Sequence, residues 1–578
     1  MKHLSSLLRG WPTAGLLLIL LWLAGPVARA QAPAWQTAVA ASGNFTLVRA
    51  TATDAAGNVY ITGDFSGTVS FDGIVLTEAG AGDVFVAKWS NLTSRFVWAQ
   101  RAGGAGFDHS YSLALSGASV YIAGSFYGST AAYGSTVLTS AGGTDREMFV
   151  AKLTDAGSSA SFTWAKQAGG PNSDDAYAVA VSGTSVYVVG DFFSTTASFG
   201  GITLTNAGTT SYDAFVTRLT DAGSSASFDW AQRIGGTGGE YANSVAVSGG
   251  NVYVAGTFSS PRLSFGNANS GPLTNASTTG SDDIFVARFT DGGGFSWSRQ
   301  AGGLGVDQAY GLAVTGTSVY LAGAFDSAPA TFGSLSLATT GDKDGYVAKL
   351  TDSGSSTAFT WVQPITGAGG AFVNAIAVSG RNVVVAGSFY TTAATFGSTT
   401  LANASSSGTP DAFVAKLLDA GSTGTFAWAL PAGGTGNDDA YSVALSGPNV
   451  YAAGAAAPPA TFGSQTLTST ATGFRLGFLA SLTDPTLTAT TAAQGTLRFT
   501  LAPNPARATT TVQLPAQPGT AATLTLRDAL GRTVRTATVA LPPAGLRHEL
   551  DLTGLPAGLY ALQVRAGATA GTRRLVVE

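Results

Sequence analysis

Phe228-Asp229-Trp230-Ala231, Gly235-Gly236, the alternating run Tyr241 to Val247, Ser248-Gly249-Gly250-Asn251, Val252-Tyr253-Val254-Ala255-Gly256 and, after a variable stretch, Asp283-Ile284-Phe285-Val286-Ala287-Arg288 make up one unit of a repeat. Its apolar residues alternate at period two between Gly, Asn and Ser, the pattern of strands joined by tight hairpin turns. One unit is thus a four-stranded antiparallel meander. Trp35, Trp98, Trp164, Trp230, Trp297, Trp361 and Trp428 mark seven copies, 63 to 67 residues apart. A lone meander leaves an apolar face and two edges uncovered, so seven in tandem are expected to pack face to face as a seven-bladed β-propeller. The last copy ends at Phe478-Leu479-Ala480-Ser481-Leu482 without a Trp segment, and Trp35-Gln36-Thr37-Ala38-Val39 is the segment it lacks. Trp35 is therefore predicted to complete the blade begun at Tyr441.

The copies resemble SBBP-type β-propeller repeats, whose hallmark is D-x-x-G-N-V-Y-V-x-G followed by D-A-F-V-A-K. Asp54-Ala55-Ala56-Gly57-Asn58-Val59-Tyr60-Ile61-Thr62-Gly63 and Asp83-Val84-Phe85-Val86-Ala87-Lys88 carry the likeness, and later copies replace the first turn by Ser-Gly, as at Ser182-Gly183. The resemblance implies a fold rather than an activity.

Lys2, His3 and Arg9 precede an apolar run from Ala14 to Ala24, Pro26 and the small-residue site Ala28-Arg29-Ala30, so residues 1–30 read as a cleaved secretory signal. The run is too short for a bilayer span, which takes roughly 20 residues. No later stretch approaches that length, so the mature chain is expected to be exported without a transmembrane segment. With no cysteine, it has neither a disulfide nor a thiolate nucleophile. Residues 31–490 hold 17 basic and 29 acidic groups, without a Lys/Arg stripe, which argues against a nucleic-acid partner.

Residues 31–484 are assigned to the propeller and 485–496 to a Thr/Ala-rich linker. In residues 497–578 short alternating runs return, and they suggest a small Ig-like β-sandwich after the propeller, within an all-β chain. This part resembles the type A C-terminal sorting domain of the Bacteroidota type IX secretion system. The matching residues are Pro503-Asn504-Pro505, Asp528 to Arg532 including Gly531, Asp551 to Leu555, Gly558-Leu559-Tyr560 and Arg573 to Glu578 including Arg574, Val576 and Val577. The resemblance implies passage through the periplasm and across the outer membrane, with the secretion machinery as partner and the cargo released or fixed to the surface.

Catalytic chemistry has few candidates. The mature chain offers two histidines, His109 and His548, both read as surface residues, and no metal spacing, nucleophile elbow or phosphate loop appears. No cofactor is expected. Carboxylates recur in two sets. Asp83, Asp213, Asp283, Asp344 and Asp411 open the D-x-F-V-A-K segments, with Asp145 displaced by one, and are expected to cap turns. Asp108, Asp174, Asp175, Asp307, Asp438 and Asp439, with Glu240, follow the Gly-Gly turn. These either stabilise turns or form an acidic ring around the channel mouth, on the face that carries the variable stretches, where a protein or glycan would bind. The preferred reading is a non-enzymatic binding module. The rival is a carbohydrate-active hydrolase or lyase using channel carboxylates such as Asp174, Asp175, Asp438 and Asp439, which would stand about 5 to 9.5 Å apart in a sugar-sized cleft.

Overall fold

The computed structural model describes residues 32–143, 145–208, 210–266, 272–354, 356–390, 392–469, 475–488, 499–514, 521–528, 533–540, 542, 545–566 and 569–578. The expected signal 1–30, most of the linker and Gly531 lie outside the described residues. The described chain is all-β, with antiparallel strand pairs and a single short 3-10 turn at Pro485–Leu487. It divides into two compact units between Leu487 and Thr488.

In the N-terminal unit the expected meander recurs seven times among the described residues. In one copy Glu240–Ser248 pairs with Asn251–Phe258, which pairs with Asp283–Thr290, which pairs with Phe295–Ala301. The last copy runs Asp439–Ser446, Asn449–Ala456, Leu476–Thr483 and finally Trp35–Ala40, with Trp35 opposite Leu482 and Ala40 opposite Phe478. The first strands of successive copies pack side by side: Thr46–Thr53, His109–Ser116, Asp174–Ser182, Glu240–Ser248, Asp307–Thr315, Ala371–Ser379 and Asp439–Ser446, which lies against Thr46–Thr53 again. The succession therefore closes on itself. Apolar residues from neighbouring copies fill the space between sheets, as with Val84, Val86, Leu113, Ile122 and Phe149.

In three copies the Tyr, Lys and Trp converge on an aspartate of the next. Tyr121 Oη, Lys152 Nζ and Trp164 Nε1 donate to Asp221 at 2.6, 2.6 and 3.0 Å, and the Gly223 N–H adds a fourth bond at 2.9 Å. Asp155 gathers Tyr60, Lys88, Trp98 and the Gly157 N–H, and Asp419 gathers Tyr320, Lys349, Trp361 and the Gly421 N–H. Asp155 and Asp221 are the aspartates of the Thr-Asp-Ala-Gly turns, and Asp419 holds the same place after Leu418. Burial alone would raise such carboxyls, but the donors hold Asp155, Asp221 and Asp419 below the ordinary range and Asp484 at about 2. At the seam, Tyr451 Oη makes the same reach to Asn91, at 3.4 Å.

The variable stretch between second and third strands, expected as open loop, folds instead as a short hairpin sewn to the preceding copy. Thr130–Tyr133 pairs with Thr136–Thr139, and Ala131 and Ala132 pair with Gly104 and Gly103 at the end of the previous fourth strand. Equivalent stitches join Gly235 to Ser264, Thr366 to Thr395 and Gly434 to Ala460. Each hairpin satisfies edge N–H and C=O groups that a loop would leave open.

The C-terminal unit has a three-stranded sheet of Thr500–Ala502, Thr509–Leu514 and Leu546–Asp551, and a four-stranded sheet of Thr533–Ala540, Ala521–Arg527, Gly558–Ala566 and Thr569–Val577. Val512, Leu514 and Leu550 from one sheet share a core with Leu524, Leu562, Val564, Leu575 and Val577 from the other. The Pro503-Asn504-Pro505 segment ties down the last strand: Asn504 Nδ2 donates to the Arg574 carbonyl at 2.8 Å, and its Oδ1 accepts the Val576 N–H at 2.9 Å. Tyr560 Oη donates to the Pro556 carbonyl at 2.8 Å.

Candidate binding face

A glycine and a bulge shape one end of every first strand. Each first strand carries a β-bulge near its start, at Arg49, Tyr111, Tyr177, Asn243, Tyr310, Asn374 and Tyr441. The bulge presses a carbonyl against the consensus glycine of the second strand, so that a Cβ on Gly190 would land on the Asp175 carbonyl oxygen. Gly63, Gly124, Gly256, Gly323, Gly387 and Gly454 meet the equivalent carbonyl. No side chain fits there, and the extra residue of the bulge is turned out of the ladder.

The post-glycine acids do not form an open acidic ring. Asp108, Asp174, Glu240, Asp307 and Asp438 are buried, and each accepts the N–H of the residue four before it, Gly104, Gly170, Gly236, Gly303 or Gly434, at 2.6 to 2.8 Å. The other oxygen takes a backbone N–H about 20 residues ahead: Tyr127 at 3.1 Å, Ser194 at 3.4 Å, Ser260 at 3.2 Å, Ser327 at 3.3 Å or Ala457 at 2.9 Å. Burial without these donors would be prohibitive, so the acids are held inward. Asp145 is not the displaced member of the other set. Glu147 takes that place, accepting the Ala141 N–H at 2.8 Å, since its longer side chain reaches the same turn.

Asp175 and Asp439 behave differently. As the next residue along the strand, each points to the opposite face from its neighbour. Asp439 pairs with Arg475 at 2.6 Å and accepts from Tyr441 Oη at 3.2 Å. Asp175 stands directly opposite Asp191 in the ladder, and Arg146 Nη2 is 3.1 Å from its Oδ2. Burial, then the Asp175 charge, raises the Asp191 carboxyl well above its ordinary range. Asp64, in the repeat position of Asp191, is by contrast held by Arg49 at 2.7 and 3.1 Å with His109 Nδ1 at 3.4 Å. His109 is thus half-buried rather than a free turn residue. It lies between Phe107 and Tyr111, with ring centroids 5.2 and 5.6 Å away.

Three sets of aromatic contacts lie beside these groups. Tyr111 meets Tyr177 at 5.4 Å, Tyr212 meets Phe193 at 4.9 Å and Tyr241 at 5.7 Å, and Phe372 meets Tyr390 at 5.6 Å. Arg49 covers Tyr111 at 5.3 Å, and Lys343 and Arg475 lie 5.9 Å from Phe372 and Tyr441. The face is therefore tyrosine-rich with mixed charge, where the sequence had suggested plain acidity. Tyrosine three residues beyond the turn acid, at 111, 177, 310 and 441, was the available signal. Among the described residues no cluster of three or more His, Cys, Asp and Glu could hold a metal, and no helix is long and apolar enough to cross a membrane.

The two units thus define an all-β repeat protein with a separate two-sheet terminal domain. That terminal domain is a type IX sorting domain: residues 500–578 match the family described as secretion system C-terminal sorting domain. The protein is accordingly exported, to the medium or the cell surface. No curated protein matches the chain. Similar solved structures include dimeric latent PorU from Porphyromonas gingivalis, with 13% identity and a TM-score of 0.13 over 63% of this chain and 31% of that one. Another is a glycoside hydrolase family 32 protein from Bifidobacterium adolescentis, with 9% identity and a TM-score of 0.25 over 93% and 95%. The chain spans about a third of PorU, and neither likeness is close enough to inform the fold or activity.

Proposed function

We propose that the N-terminal unit is a seven-bladed β-propeller of the SBBP kind, followed by an Ig-like sorting domain, and that it serves as a non-enzymatic module binding an extracellular protein or glycan. The closed succession of first strands and the completion of the last sheet by Trp35–Ala40 support the propeller. The observation that carries the binding role is the group of aromatic side chains near the starts of the first strands, with Tyr111, Tyr177, Tyr310 and Tyr441 at bulges. Tyrosines offer flat apolar faces with a polar tip, suited to sugar rings and peptide side chains alike. A cleaving enzyme would need two reachable carboxylates, whereas Asp174 and Asp438 are tied to backbone and Asp175 and Asp191 are buried.

Glycan-array binding and capture of extracellular proteins by the mature chain test this reading. Tyr111→Ala with Tyr177→Ala should lower affinity tenfold or more and leave the melting temperature within a few degrees. Turnover of a bound glycan that Asp175→Asn abolishes would replace the binding role with the hydrolytic one.

A further inference from the structure

Five junctions between successive copies bring two acids together, four of them against one glycine. A Cβ on Gly169 would stand 2.5 Å from Asp174 Oδ2 and 2.7 Å from Glu147 Oε1, and one on Gly433 would stand 2.5 Å from Asp411 Oδ1 and 2.9 Å from Asp438 Oδ2. Gly103 is gripped in the same way by Asp83 and Asp108, and Gly302 by Asp283 and Asp307. Gly235 lies on Asp213, whose carboxyl also meets that of Glu240. All ten side chains are at most 2% exposed. One acid of each pair is the first residue of the third strand of a copy, or the second in the case of Glu147, and the other precedes or opens the first strand of the next copy.

Hydrogen bonding within the pairs is lopsided. Both oxygens of the second acid take backbone N–H groups, as described above. In the first acid, one oxygen accepts an N–H: Ala79 to Asp83 at 2.8 Å, Ala207 to Asp213 at 2.7 Å, Ala276 to Asp283 and Ala404 to Asp411 at 2.6 Å. Oδ1 of Asp83, Asp213, Asp283 and Asp411 has no hydrogen-bond partner. At Gly103, Gly302 and Gly433 it is this oxygen that shares the glycine with the second acid. Two buried carboxylates this close cannot both stay ionised, and one O–H···O bond between them completes both groups.

We propose that each of these five junctions is a shared-proton clasp, an acid–carboxylate pair that joins neighbouring sheets and weakens when its proton leaves. The two other junctions are internal controls. Where Ala371 replaces the second acid, Asp344 Oδ1 itself accepts the Gly367 N–H at 3.1 Å. Where Leu476 and Thr46 stand in the two acid positions, no carboxyl is present, and the Thr46 hydroxyl oxygen accepts the Gly477 N–H at 2.6 Å. At the Asp344 junction the remaining carboxyl thus takes the N–H that the second acid takes in the five pairs.

Burial first, then the facing carboxylate, outweighs the backbone donors and raises Asp108, Glu147 and Asp283 to about 7, Glu240 to about 8 and Asp438 to about 6. Charged and titratable neighbours differ among the pairs. Arg101 and Arg233 bind Asp83 and Asp213, so there the second acid carries the proton. Arg475 acts on Asp438, Asp326 on Asp307, and Tyr133 and Tyr346 lie near the first and fourth pairs. Asp191 adjoins Asp174. Because the folded values lie above the unfolded ones of about 4, the contribution is complete in acid and is lost as pH rises through about 6 to 8.

The test uses the mature full chain carrying His109→Gln, which leaves the repeat without an imidazole. Infrared spectra should show a protonated-carboxyl band at pH 6 that vanishes by pH 9, and the melting temperature should fall by several degrees over that span. Glu147→Gln, Asp283→Asn and Asp411→Asn together place an amide donor where the proton sat. The triple variant should lose more than half of both the band and the alkaline drop. A spectrum without the band at pH 6 overturns the clasp even should the variant fail to fold. A folded variant that keeps the full drop overturns it equally.

Discussion

At the residue scale, the repeat is held by groups whose partners lie in the neighbouring copy. Asp419→Ala would strand the Lys349 ammonium, which is 2.6 Å from the carboxylate and almost wholly buried. Losing one partner of a buried ion pair costs about 3–5 kcal/mol, so a drop in denaturation midpoint of that order is expected, with Asp419→Asn milder because it keeps the shape. The same set governs the acid limb. Asp484 sits at about 2 when folded, below an unfolded value of about 4. Its contribution is therefore present above pH 4 and lost as the pH falls toward 2, which acid titration of ellipticity checks. Gly190→Ala drives a methyl into the Asp175 carbonyl, and overpacking of that kind costs about 1–3 kcal/mol or more. The V-Y-V-x-G and F-V-A-K motifs were plain in the chain as strands. Why Tyr, Lys and Trp recur in them was not, because their shared aspartate lies one copy ahead and periodicity within a copy cannot register it.

At the element scale, period-two alternation located the four strands of each copy, and the missing Trp segment pointed to the pairing of Trp35–Ala40 with Leu476–Thr483. The hairpins were less legible, since they are two to four residues per strand and take their edge from the preceding copy. The bulges were hidden as well, for a bulge adds one residue without changing composition, and so the tyrosines it displays passed for ordinary strand residues. The acids were visible, but their direction was decided by N–H donors that the sequence does not reveal. Trp35 fills the closing sheet, with Nε1 bonded to the Pro431 carbonyl at 3.1 Å and its ring 5.4 Å from Phe462. Trp35→Ala should cost about 3–5 kcal/mol, as large-to-small core changes do. Limited proteolysis should then cut first near Leu476–Thr483, the strand left as an edge. Equal protection of that strand in both proteins would count against the closing role of the N-terminal segment.

At the scale of the whole molecule, the two compact units divide the work. Among the described residues the sheets of the repeat contain no strand beyond Leu487, and the C-terminal unit has its own core. Export should therefore be separable from folding. Deleting residues 497–578 is expected to leave the melting temperature of the repeat unchanged while trapping the protein in the periplasm, read by fractionation of the producing cell. Asn504→Ala sharpens the experiment, because it removes the two bonds by which one side chain holds the backbone of Arg574 and Val576 without touching the core. Freed of that hold, the final strand is anchored by Leu575 and Val577 packing and by its ladder to Gly558–Ala566. The expected result is a partial loss of extracellular protein with matching periplasmic accumulation. Full export of the deletion variant would remove the sorting role from this domain, and full export of Asn504→Ala would show that the last strand is recognised without its asparagine tie.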